Sequence, residues 1–563
     1  MHISAASQKT IILVILIMAV PFILAETVYS QGRNEEVTII APYKPTISDA
    51  SKINVNPEIQ TEESRMPEMQ YSILPVRAET FITPEPVDAT HKPLERYKNL
   101  KRNFLRAGFG NYTTPYFEFF ANSRQSEEHA LGVHLKHISS SGTIKDYANS
   151  AYSRNKAVVF GRKYFDNHVL GGEFSYDRDV YHWYGYKPAE FDSIDLSKDD
   201  IKHRFQNIGF NAYFRSTKTD EDAFNHFTTI KYNYLTDNWN TSEQNILFTA
   251  GISKRFEWFD VTEYQTAGLD LKVDYYLNDD SVSSYTGGLI KVRPYLSTDF
   301  RQYRFYVGAD LTFRTDSAAD FYFHPIIKVE ADLIEDALTL YAGIDGSIQR
   351  VSYKDLSQEN PYVLPIIPLG YMNEKFRISG GIRGNISEKL NFNIMADNTT
   401  VNDLPLFVND TANKLGNTFT VIYDNANIFR LRGEINMNTT EALRLNLYAD
   451  FRGYTMKNEE KAWHRPGLQA GAQVYYTIRK KFLTGAGVVF TGPMYAKTIN
   501  NKNEVEKEQI NDWADLSLSF EYRITDSFSA FVNLNNVLNN GYMKWYNYPV
   551  QKFNLLAGLG YTF

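Results

Sequence analysis

The first stretch that invites a chemical reading is YHWYGY at 181–186, a histidine set among four aromatic residues. His182 is a candidate base, but acyl or phosphoryl chemistry needs a nucleophile, a base and an orienting group that converge. No local motif supplies the other two, so His182 reads as part of an aromatic loop cluster. DSIDLSKDD at 192–200 is acidic enough to attract Ca²⁺. Its spacing departs from D-x-[DN]-x-[DN]-G, and it reads as a solvated loop. Trp183, Trp239, Trp463 and Trp545 have faces that stack on sugars, and the same residue type forms the aromatic belts of membrane proteins. The chain contains no cysteine, which excludes disulfides, thiolate metal sites and a lipid-modified N-terminal cysteine. No catalytic residue, cofactor ligand or metal ligand is assigned, and an enzyme is not expected.

A binding motif is more promising. Residues 36–45 read EVTIIAPYKP, a short β-prone run that ends at two prolines. It follows an apolar N-terminus. Lys9 precedes the run IILVILIMAVPFILA at 11–25, and polar residues follow. That order is the pattern of a secretory signal peptide. The run is short for a membrane helix, which needs about 20 apolar residues, and Pro21 interrupts it. Residues 1–31 are therefore expected to be removed on export, with cleavage after Ala25 or near Ser30–Gly32. An uncleaved anchor is the other reading.

The elements that must carry any such site lie further on. The chain has 563 residues, a formal net charge of -7 and 15% aromatic residues. The acidic balance disfavours nucleic acid as a partner. No later apolar stretch is long enough for a membrane helix. Segments of alternating polarity are frequent instead. In 302–313 Tyr303, Phe305, Val307, Ala309, Leu311 and Phe313 alternate with Arg304, Tyr306, Gly308, Asp310 and Thr312. The same holds for 511–524, 442–452, 267–275 and 553–563. Strand side chains point to opposite faces with period two. One face here suits lipid and the other is charged, over runs longer than the roughly 5–6 residues of ordinary strands. The pattern predicts a transmembrane antiparallel β-barrel over 102–563, an all-β fold, in contact with outer-membrane lipid. Segmentation gives 22 strands. Short connections such as 335–337 and 479–481 alternate with a set that includes long ones near 180–202, 352–373, 399–426, 493–510 and 537–552. By that parity both termini are periplasmic. The expected inner face carries Asp270, Lys272, Asp274, Arg304, Asp310, Arg430, Arg432, Glu434, Arg444, Asp450, Arg452, Glu521 and Arg523.

The C-terminal stretch 514–563 resembles the end of a TonB-dependent receptor barrel. The likeness rests on Asn535-Asn536-Val537-Leu538-Asn539, on Trp545-Tyr546 before Tyr548-Pro549, and on the terminal Gly560-Tyr561-Thr562-Phe563. The loop ENPYVLPIIPLGYMNE at 359–374 is similar to loops of Bacteroidota members. The resemblance covers the barrel and implies 22 strands. It also implies that Glu36, Val37, Thr38, Ile39, Ile40 and Ala41 form a TonB box, which pairs as an added strand with a TonB-type energy transducer. The chain departs from the family between box and barrel. Residues 42–101 are too few for a plug domain and hold eight prolines and no glycine. Packed turns with φ > 0 normally use glycine, and X-Pro steps favour extended chain. Residues 32–101 are therefore expected to be an extended periplasmic segment, with Ile53, Val55, Tyr71, Ile73, Leu74, Phe81 and Ile82 as docking anchors. A barrel of this size needs its lumen filled, by that segment, by inward-folded loops or by another protein. Two functions follow. One is a plugless receptor-like barrel in transport or uptake across the outer membrane. The alternative is a structural or assembly subunit that binds another outer-membrane protein.

Overall fold

The computed structural model describes residues 103–563, apart from 124–125, 127, 143, 192–195, 218–222, 259–264, 317, 441 and 500–503. The signal-like run, the box at 36–41 and the segment 42–101 lie outside the described residues.

The first barrel strands are β1 (Phe104–Gly110), β2 (Thr114–Asn122), β3 (His129–Ser140), β4 (Tyr152–Phe165), β5 (His168–His182), β6 (Lys202–Ser216) and β7 (Asn225–Asp237). Next come β8 (Ser242–Phe256), β9 (Gln265–Asp279), β10 (Ser284–Phe300), β11 (Tyr303–Arg314), β12 (Asp320–Ile334) and β13 (Leu338–Arg350). A short helix, α1 (Tyr353–Glu359), precedes β14 (Tyr371–Ser387), β15 (Leu390–Asn409), β16 (Phe419–Thr440), β17 (Leu443–Met456), β18 (Leu468–Ile478) and β19 (Phe482–Thr491). Two small hairpins lie in connections: β20 (Met494–Ile499) with β21 (Val505–Ile510), and β24 (Met543–Trp545) with β25 (Tyr548–Pro549). The ring is completed by β22 (Trp513–Arg523), β23 (Phe528–Asn535) and β26 (Asn554–Thr562). These form one 22-stranded antiparallel sheet that closes where β1 pairs with β26.

Every strand of the expected segmentation is present. Two are longer than expected. β15 and β16 continue to Asn409 and from Phe419, so 399–426 is mostly hairpin and its loop is 410–418. The register shifts between Val401 and Leu404, where Asp403 takes φ 56°, and the pairing resumes beyond it. A bulge of this kind bends a strand without ending it.

Connections of eight residues or fewer follow every even-numbered strand up to β18, and β22 as well; the longer connections all lie at the opposite end. At the turn end, Arg479 and Lys480 both sit in the left-handed region (φ 49° and 58°), which lets β18 reverse tightly into β19. Asn103 and Phe563 exchange backbone hydrogen bonds at 3.1 and 3.0 Å, so the last residue sits at this end beside the first strand.

Alternation sorts the two faces. Outside, Leu559 (63% exposed), Ile252, Leu131, Phe174 and Phe323 form an apolar band. Near the turn end it is rimmed by ring pairs such as Phe528–Tyr561 and Phe482–Tyr522, 4.7 and 4.5 Å between centroids. That is the aromatic girdle of a membrane barrel. Inside, the register puts the expected charged residues on one continuous surface. Aromatic rings there lie over glycines of the adjoining strand: a Cβ at Gly471 would enter the Tyr448 ring, and one at Gly381 the Tyr341 ring. Glycine is required at these two positions by close approach.

Candidate functional site

The lumen wall over β10–β17 is held by ion pairs. Arg304 bridges Glu330 (2.8 Å) and Asp332 (3.0 Å), Arg377 meets Asp345 (2.8 Å), and Arg293 meets Asp310 (2.9 Å). Asp450 takes Arg430 at 2.6 Å, Arg452 at 3.1 Å and Arg432 at 3.2 Å. Arg432 also pairs with Glu434. The expected inner-face charges thus largely neutralise one another. A charge left alone in a partly desolvated wall would be costly.

At the loop end one connection packs against several others as a lid. Residues 351–370 leave β13, form α1 and cross to other sectors of the ring. The helix starts because Ser352 Oγ accepts from Asp355 N at 2.9 Å, an N-cap. Its first residue is the main bolt. Tyr353, 1% exposed, donates its OH to Asp237 Oδ2 of β7 at 2.9 Å. The same oxygen meets His203 Nε2 of β6 at 3.0 Å. Glu243 of β8 accepts from Tyr353 N at 2.7 Å and from Arg350 Nη1 at 3.0 Å. Burial raises the Tyr353 phenol well above its usual range, so it stays a donor. Thr241 Oγ1 donates to the Pro365 carbonyl at 3.0 Å, and Lys354 Nζ to Asn233 Oδ1 at 2.6 Å.

A second seam joins the lid to the β15–β16 hairpin and to the β23–β26 connection. Leu364 N donates to Phe419 O at 2.8 Å, and Phe419 N to Tyr362 O at 3.2 Å. The Tyr362 and Tyr548 rings stack at 3.6 Å. Tyr184 stands edge-on to both, and its OH donates to Pro549 O at 2.8 Å. Tyr548 donates to Asn417 O, and Asn417 Nδ2 to Trp183 O at 2.6 Å. Beneath, Trp545 packs on Phe407, Phe419 and His464. His464, 6% exposed, donates through Nδ1 to Phe407 O at 3.0 Å. Burial lowers its imidazole to about 4, with the Phe407 bond opposing the fall. Apolar side chains from α1, β5–β7, β15 and β16 complete one buried cluster.

The residues singled out in the sequence lie at this same end of the barrel. His182 donates through Nδ1 to Ala151 O at 2.7 Å, a structural bond. Trp183 is buried and stacks on Trp239 at 5.4 Å. Trp463 is buried with Nε1 on Glu459 at 2.7 Å, and Trp545 is enclosed as above. Trp183 and Trp463 are therefore not open sugar platforms, while Trp239 stays partly exposed. Asp200 accepts from Ser197 N and Oγ, both at 2.8 Å, while 192–195 lie outside the described residues. The motif 359–374 supplies much of the lid. Asp237, Glu243, Asn417 and Tyr353 went unrecognised, because their partners are remote in sequence. His203–Asp237–Tyr353 has the look of a proton relay, but His203 is 0% exposed. Among the described residues, no group of three or more His, Cys, Asp or Glu side chains is placed to hold a metal ion.

No family model matches the chain, and no curated protein matches it. Solved structures do. The pyoverdine outer membrane receptor FpvA from Pseudomonas aeruginosa, bound to pyoverdine, superposes with TM-score 0.62 at 11% identity, over 82% of this chain and 78% of that one. The ferric-catecholate import receptor Fiu from E. coli gives 0.60 at 10% identity, over 83% and 82%. The copper transporter OprC gives 0.58 at 12% identity, over 82% and 80%. The chain shares with these receptors and transporters the fold of a closed 22-stranded antiparallel barrel.

Proposed function

We propose that this chain is a plugless, TonB-dependent-receptor-like barrel of the outer membrane that takes part in transport or uptake. The observation that carries the reading is the 22-stranded barrel, of the fold found in receptors and transporters for siderophores and copper. In this reading residues 1–31 are a signal peptide and 32–101 an extended periplasmic segment. Both termini are periplasmic, and the loop end faces outward. Glu36–Ala41 recruits a TonB-type transducer by strand addition. The lid takes the part of the missing plug and keeps the lumen shut from outside. No catalytic step is assigned to it.

The lid also favours a second reading, a structural or assembly subunit. Its aromatic seam leaves the centre of the loop end packed, as suits a barrel that docks another outer-membrane protein rather than a free solute.

A photo-crosslinking residue at Ile39, and separately at Ile73, separates the two in living cells. Capture of a TonB-type protein from position 39 supports the transport reading. Capture of one recurrent outer-membrane protein from position 73, with nothing from 39, replaces it with the second.

A further inference from the structure

The two sides of the lumen differ in how their charges are satisfied. Over β10–β17 the arginines described above sit against carboxylates. Over β3–β4 the cations Lys136, Lys156 and Arg154 stand opposite carboxylates in register but close no ion pair with them. Lys136 of β3 stands directly opposite Lys156 of β4 in register, with Glu118 and Asp177 as the outer neighbours of the row. Like charges directly opposite on paired strands are unfavourable. Glu118 is already engaged by His134 at 3.0 Å and Tyr116 at 2.5 Å. Arg154 of β4 stands opposite Asp179 of β5 in register and lies by the rings of Tyr152 and Tyr181, at 5.8 and 5.4 Å, without closing a salt bridge. Among the described residues, none of Lys136, Lys156 and Arg154 closes an ion pair.

All three line a cavity of about 670 Å³ whose opposite side is uncharged and small, with Gln473, Gly485, Ser517 and Ser519. Asp177 and Asp179 are the carboxylates that face it, so the cations exceed the acids by one. The cavity adjoins another of about 720 Å³ that shares Arg154 and Ser517 and reaches Tyr362 and Tyr548 of the lid. A group of cations that close no ion pair with the carboxylates opposite them, held in a partly desolvated wall beside aromatic rings and neutral amides, is left able to receive an acidic group.

We propose that Lys136, Lys156 and Arg154 form a luminal binding site for the carboxylate or phosphate group of a polar solute. The neutral side of the cavity holds the rest of that solute, and Asp177 and Asp179 confine the attraction to the β3–β4 side. This deepens the transport reading by naming a solute class, and it rests on that reading for its use.

The test is equilibrium binding, which does not depend on transport. Full-length protein in detergent is titrated by calorimetry with tripolyphosphate and, separately, with citrate. Saturable binding of either is expected, weakened about tenfold or more by the double change K136Q/K156Q. The preferred probe tells phosphate from carboxylate. K328Q, on the ion-paired side of the lumen, should leave binding unchanged, and heat-modifiable gel mobility checks that each barrel is folded. Absence of saturable binding, or equal loss in K328Q, overturns the site. A chain that binds but never engages a transducer keeps the site and loses the transport reading instead.

Discussion

Acidification should loosen the lid at His464. The imidazole is enclosed by Phe419, Trp545 and Phe407, and no charged group contributes to its titration. It holds a proton only below about 4, against 6.5 when exposed. Between those values the open lid binds more protons than the closed lid, so closure weakens as pH falls. The stabilisation is complete above 6.5 and lost progressively toward 4. At pH 4.5 the loss is roughly 2.5 kcal/mol relative to neutral pH, or about 70-fold in the opening equilibrium. Hydrogen exchange, corrected for intrinsic rates, reads this directly. Segments 405–409 and 457–467 should lose protection between pH 7.5 and 4.5, while β10–β13 should not. His464→Gln should reduce the pH dependence in those two segments. Protection that is flat with pH in the native chain, or an equal pH dependence in the variant, would refute a buried neutral imidazole.

Other expectations are independent of pH. Leu516→Arg on the lipid face should impair assembly, at roughly 2–4 kcal/mol near the midplane, whereas Ser517→Arg on the lumen face should be much milder; heat-modifiable gel mobility of the two variants checks the register. Tyr353→Phe removes the donor to Asp237 and should raise exchange in 351–370 by about 1.5–3 kcal/mol of opening energy, leaving the barrel strands unchanged. An epitope inserted in 410–418 should bind antibody on intact cells, and one at 388–389 should bind only after lysis.

The barrel was legible because a membrane strand imposes period two over a whole crossing, and that signal needs no partner to be read. Strand number, inner face and alternating connection lengths all followed. The two strand ends that were missed carry Asn402, Asp403 and Asn409 in β15 and Asp424 and Asn425 in β16, residues that mark turns. Asp403 does turn the chain, but as a bulge within a hairpin that continues. The lid was not legible. Its motif 359–374 stood out, yet its partners Asp237 and Glu243 of the β7–β8 hairpin, Asn417 of the 410–418 loop and Tyr548 of the β23–β26 connection share no spacing with it. Trp183, Trp463 and Trp545 were read against sugars and lipid because their own segments gave no sign of the two clusters they join, Trp183 and Trp545 in one and Trp463 in the other. Chain topology alone builds those clusters.

The central claim is that the lid shuts the lumen. Its most direct test is single-channel conductance of the purified chain in planar bilayers, with and without 354–369 replaced by a short Gly-Ser link. The account predicts a silent native barrel and large, stable open channels from the lidless one. A native barrel that already conducts, or a lidless barrel that stays silent, would contradict it.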